Sequence, residues 1–449
     1  RVGEGRSRES LERAERARGA PNMATITMVQ EIISSRIAQL DEGSERSVRA
    51  ARELFEFAHT SHDTSEQNKE QMNRENAVPA LCRVLRSTSA EAQYEACSAL
   101  SELAFRNERN CMDIVHTPGA LESLASILRP GHGSLQEDAC LVVNNCAAFC
   151  EATAMHIVRC PELLQSLKSL SVGQNKGSRN VAVGAINCLS RSQEAAEVLR
   201  KDRFVEDTLM TVLNLEGSGE KHEACHARAT MAIANLTATV PALDGCPGGS
   251  QAVLSTIVKI LGFALDGKKW AGIFFAPYSV LYPMGNLARA SEENADMLAK
   301  AKAIPKVVRV LKEWKDGRLA ARSLTLALDI IMALTSMPDH QQELRAVGAV
   351  KTLRLVASRA RGEPRECAEL AERVLERLLE RHLALSMGQH ERLGRDSYMS
   401  MVDDYVMGVI MEYALGGSVC SVEDLHQKRA PLAEVSELHE FHPDLDDGG

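Results

Sequence analysis

The feature that most restricts the fold is a string that returns at a near-constant period. A small residue and an aliphatic, often with proline, lead into a short run that closes on aliphatics: Ala77-Val78-Pro79 to Val84-Leu85, Gly119-Ala120-Leu121 to Ile127-Leu128, Ala303-Ile304-Pro305 to Val310-Leu311, and Gly348-Ala349-Val350 to Val356. Weaker copies place the anchors at residues 77, 120, 162, 205, 253, 303 and 349, with spacings of 43, 42, 43, 48, 50 and 46. A degenerate copy near Ile32 makes eight. Self-similarity at this period means that each unit is one supersecondary element, which covers its apolar face only by stacking on its neighbours. The chain of 449 residues is therefore read as one array rather than as about three separate globular domains.

Each anchor precedes a short polar linker and a second pattern with helical spacing. In one copy the apolar positions are Ala92, Ala96, Ala99, Leu100 and Leu103; in another they are Cys225, Ala229, Ala232, Ile233 and Leu236. Small residues on such a face let helix axes approach closely. A polar helix or turn, such as Asn107 to Ile114 or Glu292 to Leu298, leads to the next anchor. The unit is two or three helices. Composition agrees, with 45% apolar and 25% charged residues, as in soluble folded chains, and only 4% aromatic residues.

These units resemble the armadillo repeat family over roughly residues 25 to 382. The resemblance is carried by the Gly-Ala-aliphatic-Pro openings and by two closing strings, Ala232-Ile233-Ala234-Asn235-Leu236-Thr237 and Met284-Gly285-Asn286-Leu287-Ala288. Glu102, Cys188, Ala333 and Arg377 depart from it, standing where the family often has Asn. The HEAT repeat is the structural alternative. The resemblance implies an all-α chain, a right-handed superhelical solenoid of about eight armadillo-like (ARM/HEAT) helical repeats with a concave face. It also implies a non-enzymatic scaffold or adaptor that binds an extended or helical segment of another protein.

In armadillo-like folds the third helix lines the concave groove and its Asn hydrogen-bonds the backbone of an extended peptide. Residue by residue, that carries over to Asn145, Asn235 and Asn286. A carboxamide offers a donor and an acceptor, so it pairs with a peptide bond whatever the side chain; the competing reading has each Asn satisfying groups in its own repeat. Tyr278, Tyr282 and Asn286 share one helix face, and an exposed Tyr is a typical interface anchor. The neighbouring Trp270, Phe274 and Phe275 are expected to fill the space left by the longer repeat and by Pro283 bending its helix. Arg373 and Arg377 share a face that suits carboxylates, though Glu369, Glu372, Glu376 and Glu380 interleave with them as i, i+4 partners.

Two competing functions have a signal. His222-Glu223-Ala224-Cys225-His226 matches His-Glu-x-x-His, which on a helix presents two imidazoles to zinc and a Glu as general base. No Gly-x-x-His follows, and no Glu occurs between Glu223 and Glu292 to serve as a third ligand. Cys225 takes a core place there, with His222 and His226 at its solvent edge. The second signal is resemblance to the nuclear-import armadillo receptors, but the family's Trp one turn before each Asn is replaced by Leu141, Met231 and Tyr282. No catalytic residue, metal site or cofactor is expected.

The remaining features bound the setting. Net charge is −9, which opposes general nucleic-acid binding, and no specific nucleic acid is expected as partner. Trp270 to Ala288 is uncharged, but Pro277, Pro283, Gly272, Gly285 and Asn286 argue against a membrane span. Twelve cysteines are scattered through helical patterns like small hydrophobes, which points to the cytosol or nucleus. Residues 1–22 are read as a disordered leader and 23–382 as the repeat array. A Tyr- and Met-rich amphipathic helix or cap is placed at 383–420, and a disordered acidic tail at 421–449.

Overall fold

The computed structural model describes residues 23–41, 44–59, 62–129, 133–149, 151–237, 249–315, 319–359 and 365–388. The predicted leader and acidic tail lie outside the described residues, as does nearly all of the predicted C-terminal helix. Two compact units are present, residues 1–337 and 338–449, and each is described by itself.

The first unit opens with α1 (Met23–Ile37) and α2 (Glu45–His59), and the repeats follow. The first three are α3 (His62–Arg74), α4 (Ala77–Val84) and α5 (Ala90–Ala104); α6 (Glu108–His116), α7 (Ala120–Ile127) and α8 (Ser134–Phe149); and α9 (Glu151–Val158), α10 (Pro161–Ser171) and α11 (Lys176–Leu189). Then come α12 (Gln193–Lys201), a π-helical turn at Val205–Leu209 running into α13 (Met210–Leu213), and α14 (Glu220–Thr237). The unit continues with α15 (Gly249–Leu265) and α16 (Pro277–Ala290), and with α17 (Glu292–Lys300), α18 (Ala303–Lys315) and α19 (Ala321–Leu334). The described residues are helical throughout, apart from turns and one isolated bridge between Trp270 and Ile273. The fold is an all-α solenoid.

The period reflects a repeated piece of chemistry at each corner. Anchors 77, 120, 303 and 349 are helix starts, and the residue before each is left-handed: Asn76, Gly119, Lys302 and Gly348, with φ of 55°, 80°, 64° and 80°. Glycine accepts that conformation without strain and Asn tolerates it, which explains the small residue at the head of the string. A second device links a carbonyl near the end of several third helices to a side chain seven residues further on. Ser65 Oγ donates to Ala58 O at 2.6 Å, Asn110 Nδ2 to Leu103 O at 2.7 Å, Thr153 Oγ1 to Cys146 O at 2.6 Å, and Asn294 Nδ2 to Leu287 O at 2.9 Å. A helix C-terminus leaves carbonyls without intrahelical partners, and these side chains satisfy one of them from the first helix of the next repeat. The same first helices are capped three residues earlier, by Asn107 for Asn110 and by Ser291 for Asn294.

The third helices α2, α5, α8, α11, α14, α16 and α19 pack each on the next, making a continuous layer. The interface between them is built from the small residues predicted for it. Ala92, Ala96, Ala99, Leu100 and Leu103 are fully buried in α5, as are Ala229, Ala232 and Ile233 in α14, with Cys225 and Leu236 nearly so. Burying each Leu or Ile contributes about 1.5–3 kcal/mol relative to exposure, so the stacking of neighbours, not helix propensity, holds each unit.

The uncharged stretch from Trp270 is a tight turn followed by a helix. Trp270 and Ile273 exchange N–H···O bonds of 2.9 Å each, with Ala271 and Gly272 both at positive φ between them. Helix α16 then starts at Pro277, whose missing N–H is one of the helix's unpaired donors anyway. No described helix is long and apolar enough to cross a membrane.

The second unit contains α20 (Pro338–Ala346), α21 (Ala349–Arg359) and α22 (Arg365–Gly388). Leu353 and Val356 of α21 are buried, as are Ala371, Val374 and Leu378 of α22. Helix α22 runs past residue 382, the predicted end of the array, to Gly388.

Candidate functional site

The layer of third helices in the first unit brings most of the expected groove residues together, but it uses their amides differently from the expectation. Asn145, half-buried, donates through Nδ2 to Ser101 O at 2.9 Å in the preceding third helix. Asn235 is only 3% exposed and donates to Ser190 Oγ at 2.9 Å. Its Oδ1 accepts from Asn286 Nδ2 at 3.2 Å, while Asn286 Oδ1 accepts from Arg289 Nη2 at 2.8 Å. Arg289 Nη1 completes the chain on Asp329 Oδ2 at 2.7 Å. The three carboxamides are thus stitches between repeats. Asn235, expected to bond a peptide backbone, has both polar ends of its side chain bonded to neighbouring repeats beneath the surface.

The tyrosines stand differently. Tyr278 and Tyr282 on α16 are half-buried, and Tyr94, at the equivalent place on α5, is 39% exposed. Two guanidinium groups lie over the Tyr278 ring, with Arg191 Cζ 5.7 Å and Arg322 Cζ 5.4 Å from its centroid. Arg191 follows the end of α11 and also contacts Cys188. Arg228 on α14 donates through Nη1 to Asn180 O at 2.8 Å and to Asn180 Oδ1 at 2.9 Å, and burial lowers its pKa. These arginines were not singled out from the sequence. They lie beside the tracked helical positions rather than on them, and the sequence signal for Arg228 was Gly184 of α11. A Cβ on Gly184 would come within 3.1 Å of the Arg228 guanidinium, so the glycine makes room for it.

Toward the amino-terminal end the charges are paired. Arg52 bonds Glu95 and Glu91, Lys69 bonds Glu102, and Ser98 Oγ donates to Asp138 Oδ2 at 2.8 Å. Burial raises the Asp138 pKa, against the Ser98 hydrogen bond that lowers it. Arg373 and Arg377 are exposed on one face of α22, in the second unit, with Glu369, Glu372 and Glu376 exposed beside them.

The His-Glu-x-x-His segment lies at the start of α14. His222 and His226 have ring centroids 4.0 Å apart and line a cavity of about 240 Å³ with Leu213, Thr230, Val253 and Trp270. His226 is half-buried and facing this cavity rather than at a solvent edge; burial, followed by the His222 charge, lowers its pKa. Its Nε2 and the Trp270 indole N–H are both buried without a hydrogen-bond partner. Among the described residues no three His, Cys, Asp or Glu side chains are grouped to hold a metal ion. The aromatic insertion divides. Trp270 packs edge-on against Phe263 at 5.1 Å, as a space-filling residue should, whereas Phe274 is 65% exposed with Lys269 Nζ 5.1 Å from its ring centroid. The expectation that all three aromatics pack inside is corrected at Phe274, because the turn at Ala271 and Gly272 carries it outward.

Residues 65–105 match the family model of the armadillo/beta-catenin-like repeat. That segment spans most of α3, all of α4 and all of α5, the same three-helix pattern that recurs along the first unit. This one repeat of the chain is thus similar to the armadillo/beta-catenin-like repeat. No curated protein matches it. Among solved structures, it is similar to an engineered protein at 18% identity and a TM-score of 0.48, over 88% of this chain and 99% of that one. A designed armadillo repeat protein matches at 15% identity and a TM-score of 0.26, over 77% of this chain and 99% of that one. In armadillo terms the stitched Asn positions follow one turn after Leu141, Met231 and Tyr282, of which Met231 is fully buried. Tyr278, Tyr282, Asn145 and Asn286 are half-buried in this layer, and Arg322 is exposed.

Proposed function

We propose that this armadillo-like chain is a non-enzymatic scaffold that holds an extended or helical segment of another protein against the third-helix layer of residues 45–334. The observation that carries the reading is the Tyr278–Tyr282 face of α16, half-buried between stacked repeats and flanked by guanidinium groups. Tyr at such a place supplies rigid contact area with a polar tip, and many modest contacts on a preformed surface add to a specific affinity. The nine described cysteines form no disulfide and eight of them are buried, a pattern that fits a reducing compartment, the cytosol or nucleus.

Photocrosslinking in cells tests the reading. A photoreactive amino acid is placed at position 282 in the full chain, and in a second version at position 274 in the exposed insertion. A protein crosslinked from 282, and lost when Tyr278 and Tyr94 are changed to Ala, is the expected result. Crosslinks from 274 alone, or from 282 with no dependence on the tyrosines, overturn it.

A further inference from the structure

Three arginines of the third-helix layer lack an acid partner. Arg191, Arg228 and Arg322 make no ion pair with a carboxylate among the described residues, although Arg289 in the same layer does, with Asp329. They form one line. Arg228 is fixed by Asn180 on α11, Arg191 contacts Cys188 at the end of the same helix, and Arg191 and Arg322 lie over the ring of Tyr278. Two like charges held on a single ring repel each other, and desolvating a guanidinium without an anion costs free energy. The ring faces return only part of that cost, on the order of 1 kcal/mol for each cation. Arginine has five N–H donors, and the bonds of Arg228 to Asn180 run through Nη1 alone.

We propose that this line receives the carboxylates of an acidic peptide segment of a partner protein, with Tyr278 as the platform for two of its guanidinium groups. The proposal rests on the groove reading above and adds the chemistry of the occupant. A carboxylate accepts two parallel N–H bonds from one guanidinium, so acids spaced along an extended peptide meet Arg228, Arg191 and Arg322 in turn. The chain's net charge of −9 distinguishes a peptide from a nucleic acid. A polyanionic backbone meets the field of the whole molecule, whereas a few carboxylates address the cluster alone.

Fluorescence anisotropy on the full chain tests this with three fluorescein-labelled peptides of equal length, one rich in Glu and Asp, one rich in Lys and Arg, and one neutral, beside a single-stranded DNA oligonucleotide. The acidic peptide is expected to bind at least ten-fold more tightly than the others and to weaken as salt rises. Arg322→Glu, at an exposed position, is expected to reduce that affinity at least ten-fold, and Arg191→Gln to reduce it with the circular dichroism melt unchanged. Equal binding of the acidic peptide to wild type and Arg322→Glu overturns the proposal, as does tighter binding of the basic peptide or of DNA. The two readings fail separately. If a basic or neutral peptide binds and is lost in Tyr282→Ala, the groove reading stands and the acidic chemistry falls; if no peptide binds, both fall.

Discussion

At the scale of single residues, backbone conformation and burial decide what each position tolerates. Gly119 sits at φ 80° before α7, so Gly119→Ala is expected to lower stability by about 1–2 kcal/mol in urea unfolding, although no atom lies within 4 Å of the added Cβ. Lys302 holds the same place at φ 64° with an exposed side chain, and Lys302→Gly is expected to raise stability by about 1 kcal/mol. The opposite signs separate conformational strain from packing. Asn235→Ala removes one donor and one acceptor from the stitch between Ser190 and Asn286 and is expected to cost about 1–3 kcal/mol in the same measurement. Burial pushes the Cys82 thiol up to about 12 and Cys225 to about 11, so both stay protonated and unreactive near neutral pH. Cys188 is the half-buried one among the nine described cysteines. Iodoacetamide labelling followed by mass spectrometry is expected to modify it first of the nine.

At the scale of elements, histidines held neutral tie helix packing to pH. Burial, then the neighbouring His222 and Arg179, lower the pKa of His226 in α14, against a hydrogen bond to the Val212 backbone that raises it; burial, His116 and Arg159 do the same to His156 in α9. A pKa below the ordinary 6.5 in the folded chain means that the unfolded chain binds the proton more readily. The stabilisation is full above about pH 6.5 and is lost as the pH falls through the depressed folded value. The urea midpoint should therefore drop on going from about pH 7.5 to 5.5, and drop less in a His156→Gln, His226→Gln variant. Much of this level was legible in the sequence. The helix starts at 77, 120, 303 and 349 and the small faces of α5 and α14 follow from period and residue size alone. The Asn stitches did not, because spacing places a carboxamide on a helix face without saying whether it meets a peptide or the preceding repeat. Nor did the arginines, whose neighbours lie in other repeats, Asn180 48 residues from Arg228 and Tyr278 87 residues from Arg191 and 44 from Arg322, nor the outward turn of Phe274, which depends on two consecutive positive φ angles.

At the scale of the molecule, the layer of third helices makes stability a nearest-neighbour property. Leu100 is fully buried in α5, and Leu100→Ala is expected to cost about 2–5 kcal/mol locally. Hydrogen exchange should show the loss in α2, α5 and α8, with α16 and α19 unchanged; a uniform loss along residues 23–334 would mean that the unit melts as one. The bonds from Ser65, Asn110, Thr153 and Asn294 back to the end of the preceding third helix have a further effect on how the array is divided. They place the first helix of every such triplet, in energetic terms, with the triplet before it. A truncation at Ala104 strips the Leu103 carbonyl of the Asn110 amide, whereas one at Thr117 keeps it. A segment excised for transplantation, or lengthened by duplication, is therefore best joined at the left-handed residue before the second helix, where the chain turns without a side chain reaching across the seam.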